Sequence, residues 1–357
     1  MNIGLFIHPC EPEKPGGLGR ANFALAEALL REDPRNTYTV YLKGTPRETL
    51  FSTHPNVETV FIGNGPLWLT GARTLDPTLD AYVFFTPIIP LFSRPKKSIV
   101  ITHDFAFLDI PPRSLRERLT NWFLYMLQER SLRRATRIVA ISDATRTNAI
   151  RHFSIAPEKI ETIHIGYMPL PASTQALPVP DKFFLFAGVL KERKNVAGVI
   201  RAFASFYPTH PDFSLVIAGK KEGAYYKSLV SLANKLGVTS RVHFVGYVSN
   251  EELAYLYTKA TALVFPSFIE GFGMPVLEAM HANLPVITTN TGALAEVTGD
   301  AALLVDPHDP SDIAQALSTI VRDKVLRDSL RARGHARAAQ FSWERAARAL
   351  LARMNSL

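Results

Sequence analysis

Glu270 and Glu278 stand eight positions apart, at the two ends of Glu270-Gly271-Phe272-Gly273-Met274-Pro275-Val276-Leu277-Glu278. Without a Cβ, Gly271 and Gly273 let backbone N–H groups approach a ligand, and Pro275 suits the first turn of a helix whose N-terminus carries partial positive charge. An anionic ligand fits such a mouth. Glu270, in the loop, can accept hydrogen bonds from sugar hydroxyls, while Glu278, about one turn into the helix, can hold a neighbouring diol such as ribose. Taken alone, the pair could equally be solvated acids offsetting a helix dipole.

Three further constellations bear on that choice. Phe183 to Val189 reads as a buried strand, followed by Lys191-Glu192-Arg193-Lys194-Asn195, with Asn195 a candidate helix cap. The forked guanidinium of Arg193 and the point charge of Lys194 suit a diphosphate, although a Lys/Arg pair at a turn is also an ordinary solvated surface pair. Pro15-Gly16-Gly17-Leu18-Gly19-Arg20 lies between a first strand, Ile3 to Ile7, and an apolar helix, Phe23 to Leu30. It is not a dinucleotide fingerprint: Asn22 stands where the third glycine belongs, and the strand ending Tyr41-Leu42-Lys43 offers a lysine where an acid should meet the ribose. Ile101-Thr102-His103-Asp104 ends another buried strand, and His103 there is either structural or a hydrogen-bonding group. No Asp-x-Asp occurs and no His/Cys/Asp cluster has ligand spacing, so no metal and no resident cofactor is expected.

The elements that must position these residues follow from periodicity. Short β-prone runs recur at 2–7, 37–42, 58–61, 81–85, 98–102, 137–141 and 160–163, mostly separated by lengths that suit a crossover helix. After a Pro-rich break from Pro169 to Pro180 the pattern restarts at 183–188, 213–218, 242–245, 261–265, 284–288 and 301–305. Helices are expected at 311–322 and 324–339, the first opened by Asp309-Pro310-Ser311-Asp312. The fold class is therefore α/β, with two parallel sheets whose strand ends would line a ligand cleft. The chain of 357 residues, 47% hydrophobic, suits two domains.

With these residues in place, the chain resembles the retaining GT-B glycosyltransferases of family 4, whose signature is the Glu-x7-Glu motif and which include bacterial mannosyltransferases. The resemblance implies two Rossmann-like domains. The first, 1–168, would bind the acceptor and be joined by a C-terminal helix at 344–357; the second, 169–343, would bind the nucleotide-sugar donor. It further implies diphosphate contacts from Arg193 and Lys194, a nucleobase contact at Tyr247 and Val248, and a hydrogen bond from His103 to the transferred sugar or the reaction-centre carbonyl. Gly17 would approach the donor phosphate, and Gly271, Phe272, Gly273 and Met274 would line the donor beside Glu270 and Glu278. Ser142 matches a serine near the domain junction. One departure stands out: many relatives carry an arginine directly after the strand's glycine, whereas Gly188 is followed here by Val189, which leaves Arg193 as its substitute. The wording of the two motifs is closest to surface-polysaccharide mannosyltransferases, which implies GDP-mannose as donor and a polysaccharide, glycolipid or lipid-linked acceptor.

A glycoside hydrolase would use two carboxylates without needing Arg193 and Lys194, and a catalytically silent nucleotide-sugar-binding protein would keep the pocket without transfer. Residues 1 to 10 lack the features of a signal peptide, Cys10 is the single cysteine, and no run of about 18 apolar residues occurs. A cytoplasmic location follows. The net charge of +8, with the basic aromatic stretch Arg113 to Arg137, would allow peripheral contact with an anionic membrane at the inner face of the plasma membrane. No RNA-binding motif accompanies it, so no nucleic-acid partner is expected.

Overall fold

The computed structural model describes residues 1–10, 17–43, 50–62, 75–112, 114–171 and 175–357. Pro15 and Gly16 of the glycine-rich loop, Arg113 and residues 172–174 of the Pro-rich break lie outside these. The chain forms two compact units, Met1–Gly166 with Phe341–Leu357, and Tyr167–Gln340.

In the first unit, strands β1 (Asn2–Ile7), β2 (Thr37–Leu42), β3 (Val57–Phe61), β4 (Ala81–Phe84), β5 (Ser98–Thr102), β6 (Arg137–Ala140) and β7 (Ile160–Thr162) form one sheet in the order β3-β2-β1-β4-β5-β6-β7. Every pairing is parallel. Parallel strands are covered on both faces, which is why β1, β4 and β5 are apolar almost throughout and buried along nearly their whole length. Helices α1 (Gly17–Glu32), α2 (Leu115–Arg134) and α3 (Asp143–Phe153) make crossovers.

The second unit repeats the scheme with β8 (Phe183–Ala187), α4 (Val196–Phe206), β9 (Ser214–Ala218), α5 (Gly223–Lys235), β10 (Val242–Gly246), α6 (Asn250–Lys259), β11 (Ala262–Phe265), α7 (Met274–His281), β12 (Val286–Thr289), α8 (Gly292–Thr298) and β13 (Leu303–Val305). Its sheet order is β10-β9-β8-β11-β12-β13, again all parallel. Phenylalanines dominate the core around β8, where Phe184 meets Phe206 edge-on and Phe186 stacks on Phe265. Helices α9 (Pro310–Arg322) and α10 (Lys324–Ala338) follow.

The final helix, α11 (Trp343–Asn355), belongs to the first unit. It buries Ala346, Ala347, Leu350 and Met354, and Arg348 donates to both oxygens of Glu32 on α1 at 3.0 and 3.1 Å. The chain crosses between units at Gly166–Tyr167 and Gln340–Phe341, rather than at 168–169 and 343–344. Close packing sets the first crossing: a Cβ on Gly166 would stand 2.5 Å from the Trp343 backbone nitrogen, so Gly166 is locked to the start of α11.

Candidate functional site

Strand order reverses between β8 and β11 in the second sheet, so the crossover helices leave on opposite faces and a crevice opens beyond the carboxyl ends of these two strands. The loops that follow them carry the charged residues. After β8, Glu192–Lys194 form one turn of 3-10 helix, and Asn195 stands at φ 55° in the left-handed region before α4 begins. Asparagine tolerates that conformation, and its side chain completes the turn. Asn195 Oδ1 accepts from the Gly198 N–H at 3.2 Å, capping α4, while Nδ2 donates to the Pro307 carbonyl at 2.6 Å. The turn is thereby fastened to the segment after β13.

After β11 the loop brings Glu270 against that turn. Glu270 Oε2 accepts from Arg193 Nη1 at 3.2 Å, and Oε1 accepts from the Lys194 ammonium. Arg193 Nη1 also donates to the Ile269 carbonyl at 2.9 Å, and the Phe268 N–H donates to the Arg193 carbonyl at 2.8 Å, so the two loops are tied by backbone and side chain together. Lys194 Nζ lies 4.8 Å from the centre of the Phe265 ring. The Glu270 and Lys194 side chains are only 8% and 10% exposed. One carboxylate facing two cations leaves this trio a net positive charge in a poorly solvated place, and an incoming anion would relieve it.

Gly271, Phe272 and Gly273 are buried between Glu270 and α7. Gly273 caps α7 with φ 106°, and a Cβ there would stand 2.4 Å from Leu294 Cδ2. Glycine is required both by the backbone angle and by the neighbour. Met274 and Pro275 open the helix, and Glu278 sits half-buried in its second turn. The buried Tyr257 hydroxyl on α6 donates to the Pro275 carbonyl at 3.3 Å and reaches Glu278 Oε2 at 3.5 Å. Burial, then the nearby Glu278 charge, pushes this phenol well above its ordinary pKa, so Tyr257 stays a donor. Sequence reasoning missed Tyr257. Its signal was an aromatic hydroxyl on the buried side of an amphipathic run, which must find an acceptor.

Tyr247 and Val248 follow β10, the edge strand two places from β8. Tyr247 is exposed and Val248 half-buried; the preceding Gly246 has φ 91° and its carbonyl accepts from the Gly219 N–H at 2.8 Å. Gly219 also lacks room for a side chain, since its Cβ would meet the Gly188 carbonyl at 2.4 Å. Gly188 and Gly219, half-buried, and Gly246, buried, thus stand at the ends of three adjacent strands with backbone rather than side chains. Val189, which follows Gly188, is more than half exposed, and Arg193 is the arginine of this loop that faces Glu270.

Two expected site residues lie in the first unit. Gly17 is exposed at the first position of α1, after β1 and beside the reversal of strand order between β1 and β4. His103 follows β5, its Nε2 2.9 Å from the Phe85 carbonyl. A carbonyl only accepts, so Nε2 carries hydrogen. Burial lowers the imidazole pKa against the opposing pull of that hydrogen bond and of Asp104, and the neutral ring then presents Nδ1 as an acceptor. Ser142 caps α3, accepting from the Thr145 N–H at 3.0 Å, and the Thr145 hydroxyl donates to the His103 carbonyl at 3.0 Å.

A family model for glycosyl transferases group 1 matches residues 173–337. The chain is 31% identical over 306 residues to O-antigen chain mannosyltransferase B of Escherichia coli, covering 80% of this chain and 79% of that protein. Among solved structures, the sucrose-phosphate synthase of Thermosynechococcus elongatus matches with a TM-score of 0.77 over 99% of this chain and 98% of that one, at 20% identity. Anabaena HepE in complex with UDP and glucose matches with a TM-score of 0.76 over 100% of both chains, at 19% identity. At such identities the likeness speaks for the fold alone. It is the GT-B arrangement of two Rossmann-like, parallel-sheet domains.

Proposed function

The chain belongs to the group 1 glycosyl transferases, and from that premise we propose that it moves mannose from GDP-mannose to a polysaccharide, glycolipid or lipid-linked acceptor, with retention of anomeric configuration and without a metal ion. It is a glycosyltransferase, which sets aside the hydrolase reading and the silent binding protein. The observation that carries the finer proposal is the Arg193–Glu270–Lys194 trio at the reversal point of the second sheet.

Transfer breaks the bond between the anomeric carbon and the β-phosphate oxygen. Negative charge grows on the departing diphosphate, and a fixed guanidinium and ammonium lower the energy of that state without reorganising. In the proposed reaction Arg193 and Lys194 meet the diphosphate together with the N-terminus of α7, Glu270 orients the sugar through its hydroxyls, and Glu278 holds the ribose. Tyr247 and Val248 lie against the base. The acceptor hydroxyl oxygen bonds to the anomeric carbon on the face the diphosphate leaves, and its proton passes to the leaving phosphate. His103, neutral and accepting through Nδ1, suits a hydrogen bond from a sugar hydroxyl, and Gly17 leaves room for backbone approach. A peripheral position at the inner face of the plasma membrane, in the cytoplasm, completes the proposal; among the described residues no helix is long and apolar enough to cross a membrane.

Mannosyltransferase is favoured by the name of the Escherichia coli relative, whereas the UDP in the Anabaena structure belongs to that protein. The test is nucleoside diphosphate release across GDP-, UDP- and ADP-sugars, with EDTA present and membrane lipid extract as acceptor. GDP release from GDP-mannose alone is the expected result. Release only from a UDP-sugar would overturn the donor, and loss of activity in EDTA restored by a divalent ion would overturn metal independence.

A further inference from the structure

A crossover helix normally turns one apolar face to its sheet and a polar face to water. Helix α2 is apolar on both. Its inner side buries Leu127, Gln128, Ser131 and Leu132. Opposite these, Leu115, Leu119, Trp122 and Met126 follow one another at spacings of four, three and four residues and so share one face, with Phe123 at its margin. They are 72%, 59%, 62% and 45% exposed, and Phe123 is 52% exposed. From Ser114 to Thr120 every residue is exposed, so the first turns project clear of the unit's core. Asn121 Nδ2 ties the projecting end to the Phe107 carbonyl at 3.2 Å, in the segment that follows His103.

The rim of this face is cationic. The helix carries Arg116, Arg118, Arg130, Arg133 and Arg134 against Glu117 and Glu129, and Glu129 is paired with Arg133 at 3.0 Å. Arg130 donates to the Leu91 carbonyl, and the Ile89 N–H donates to Ser131 Oγ at 2.9 Å. These bonds hold beside the helix the loop that presents Phe92, 63% exposed, and Arg94 and Arg134 both lie near Arg130.

We propose that the outer face of α2, with Phe92 beside it, seats the protein on an anionic lipid bilayer. A bilayer offers apolar depth to Leu115, Leu119 and Met126, an interfacial level that suits Trp122, and phosphates to the arginines. A second copy of the chain fits worse, because a self-complementary contact would bring guanidinium groups against guanidinium groups. Because α2 follows the end of β5 and returns to the start of β6, its projecting end lies on the side of the strands' carboxyl ends, as His103 does. This deepens the proposed function, since it rests on that reading for the acceptor and supplies the surface from which a lipid-borne acceptor would be met.

The experiment is co-sedimentation of the full chain with vesicles of phosphatidylcholine alone and of phosphatidylcholine with phosphatidylglycerol, at low and high salt. Expected are binding to the anionic vesicles, weakening with salt, and a loss of about tenfold or more in partitioning for the triple variant Leu119→Ser, Trp122→Ser, Met126→Ser. Arg116→Gln and Arg118→Gln should each weaken partitioning by roughly fivefold. Resistance of the first unit to limited proteolysis should match the wild type in all variants, which shows that they fold, and thermal stabilisation by GDP, a property of the other unit, should be unchanged; absence of that stabilisation in every protein would strike the donor reading and leave this one standing. The proposal fails if the wild type does not partition, or if the triple variant partitions equally. It fails equally if the triple variant instead loses self-association or binding to RNA.

Discussion

Lys194 and Arg193 share one carboxylate, and their removal should separate charge stabilisation from binding. Lys194→Ala or Arg193→Ala is expected to lower kcat by about 10²–10³, the scale for losing a preorganised group at a developing negative charge, measured by steady-state nucleoside diphosphate release. Arg193→Lys should recover part of it, because a point charge replaces half of a forked contact. Glu278→Ala should act on the donor instead, raising KM by about tenfold as a charge-assisted hydrogen bond is lost, with kcat far less affected. A kcat loss equal to that of Lys194→Ala would move Glu278 from donor holding to the reacting centre.

His103 supplies a residue-scale test by pH. Burial lowers its folded-state pKa below the ordinary 6.5, so as pH falls through about 6.5 the unfolded chain takes up a proton that the folded protein still refuses. The unfolded state then binds more protons, and stability decreases; above that range His103 contributes no slope. Thermal melts between pH 7.5 and 5 should show a shallower acid loss for His103→Gln than for the wild type, and parallel curves would refute the assignment of that slope to His103.

At the scale of elements, two joints hold the trio in place. Asn195→Ala removes both the cap of α4 and the bond to the Pro307 carbonyl, and forces a residue that disfavours φ 55° into that angle; about 2–3 kcal/mol of stability should be lost, with kcat falling because Arg193 and Lys194 are no longer anchored. Gly273→Ala should cost about 1–3 kcal/mol for its φ of 106°. Denaturant unfolding reads both. The elements themselves were legible because buried parallel strands are near-continuous apolar runs: 2–7, 98–102 and 183–188 read off the chain within a residue of β1, β5 and β8. Turn chemistry was legible for the same local reason, with Pro275 and the paired glycines marking the start of α7. What could not be read is contact between distant segments. Nothing in Lys191 to Asn195 announces that its cations meet Glu270 or that Asn195 reaches Pro307, because those partners lie 76 to 112 positions away and only the strand order brings them together. Helix α2 showed the converse limit: its basic and aromatic residues were visible, but which of them face the core was not.

For the whole molecule, the second unit is an uninterrupted stretch, whereas the first is assembled from both ends of the chain. A chain truncated after Gln340 should leave α1 without α11, exposing an apolar face that includes Leu25 and Leu29; limited proteolysis is expected to digest the first unit while the second persists as a resistant fragment. Equal digestion of both units would show that their stabilities are coupled.

The same threading sets an order of events during synthesis. Strands β1 to β7 leave the ribosome before the second unit, yet Arg348, which clamps Glu32 across 316 positions, emerges only after it. The second unit can complete its fold while the first still waits with α1 uncovered. A pause or a nick just after Gln340 therefore leaves a finished second unit attached to an open, aggregation-prone first unit, and α11 works as a latch that closes only once the second unit has been made.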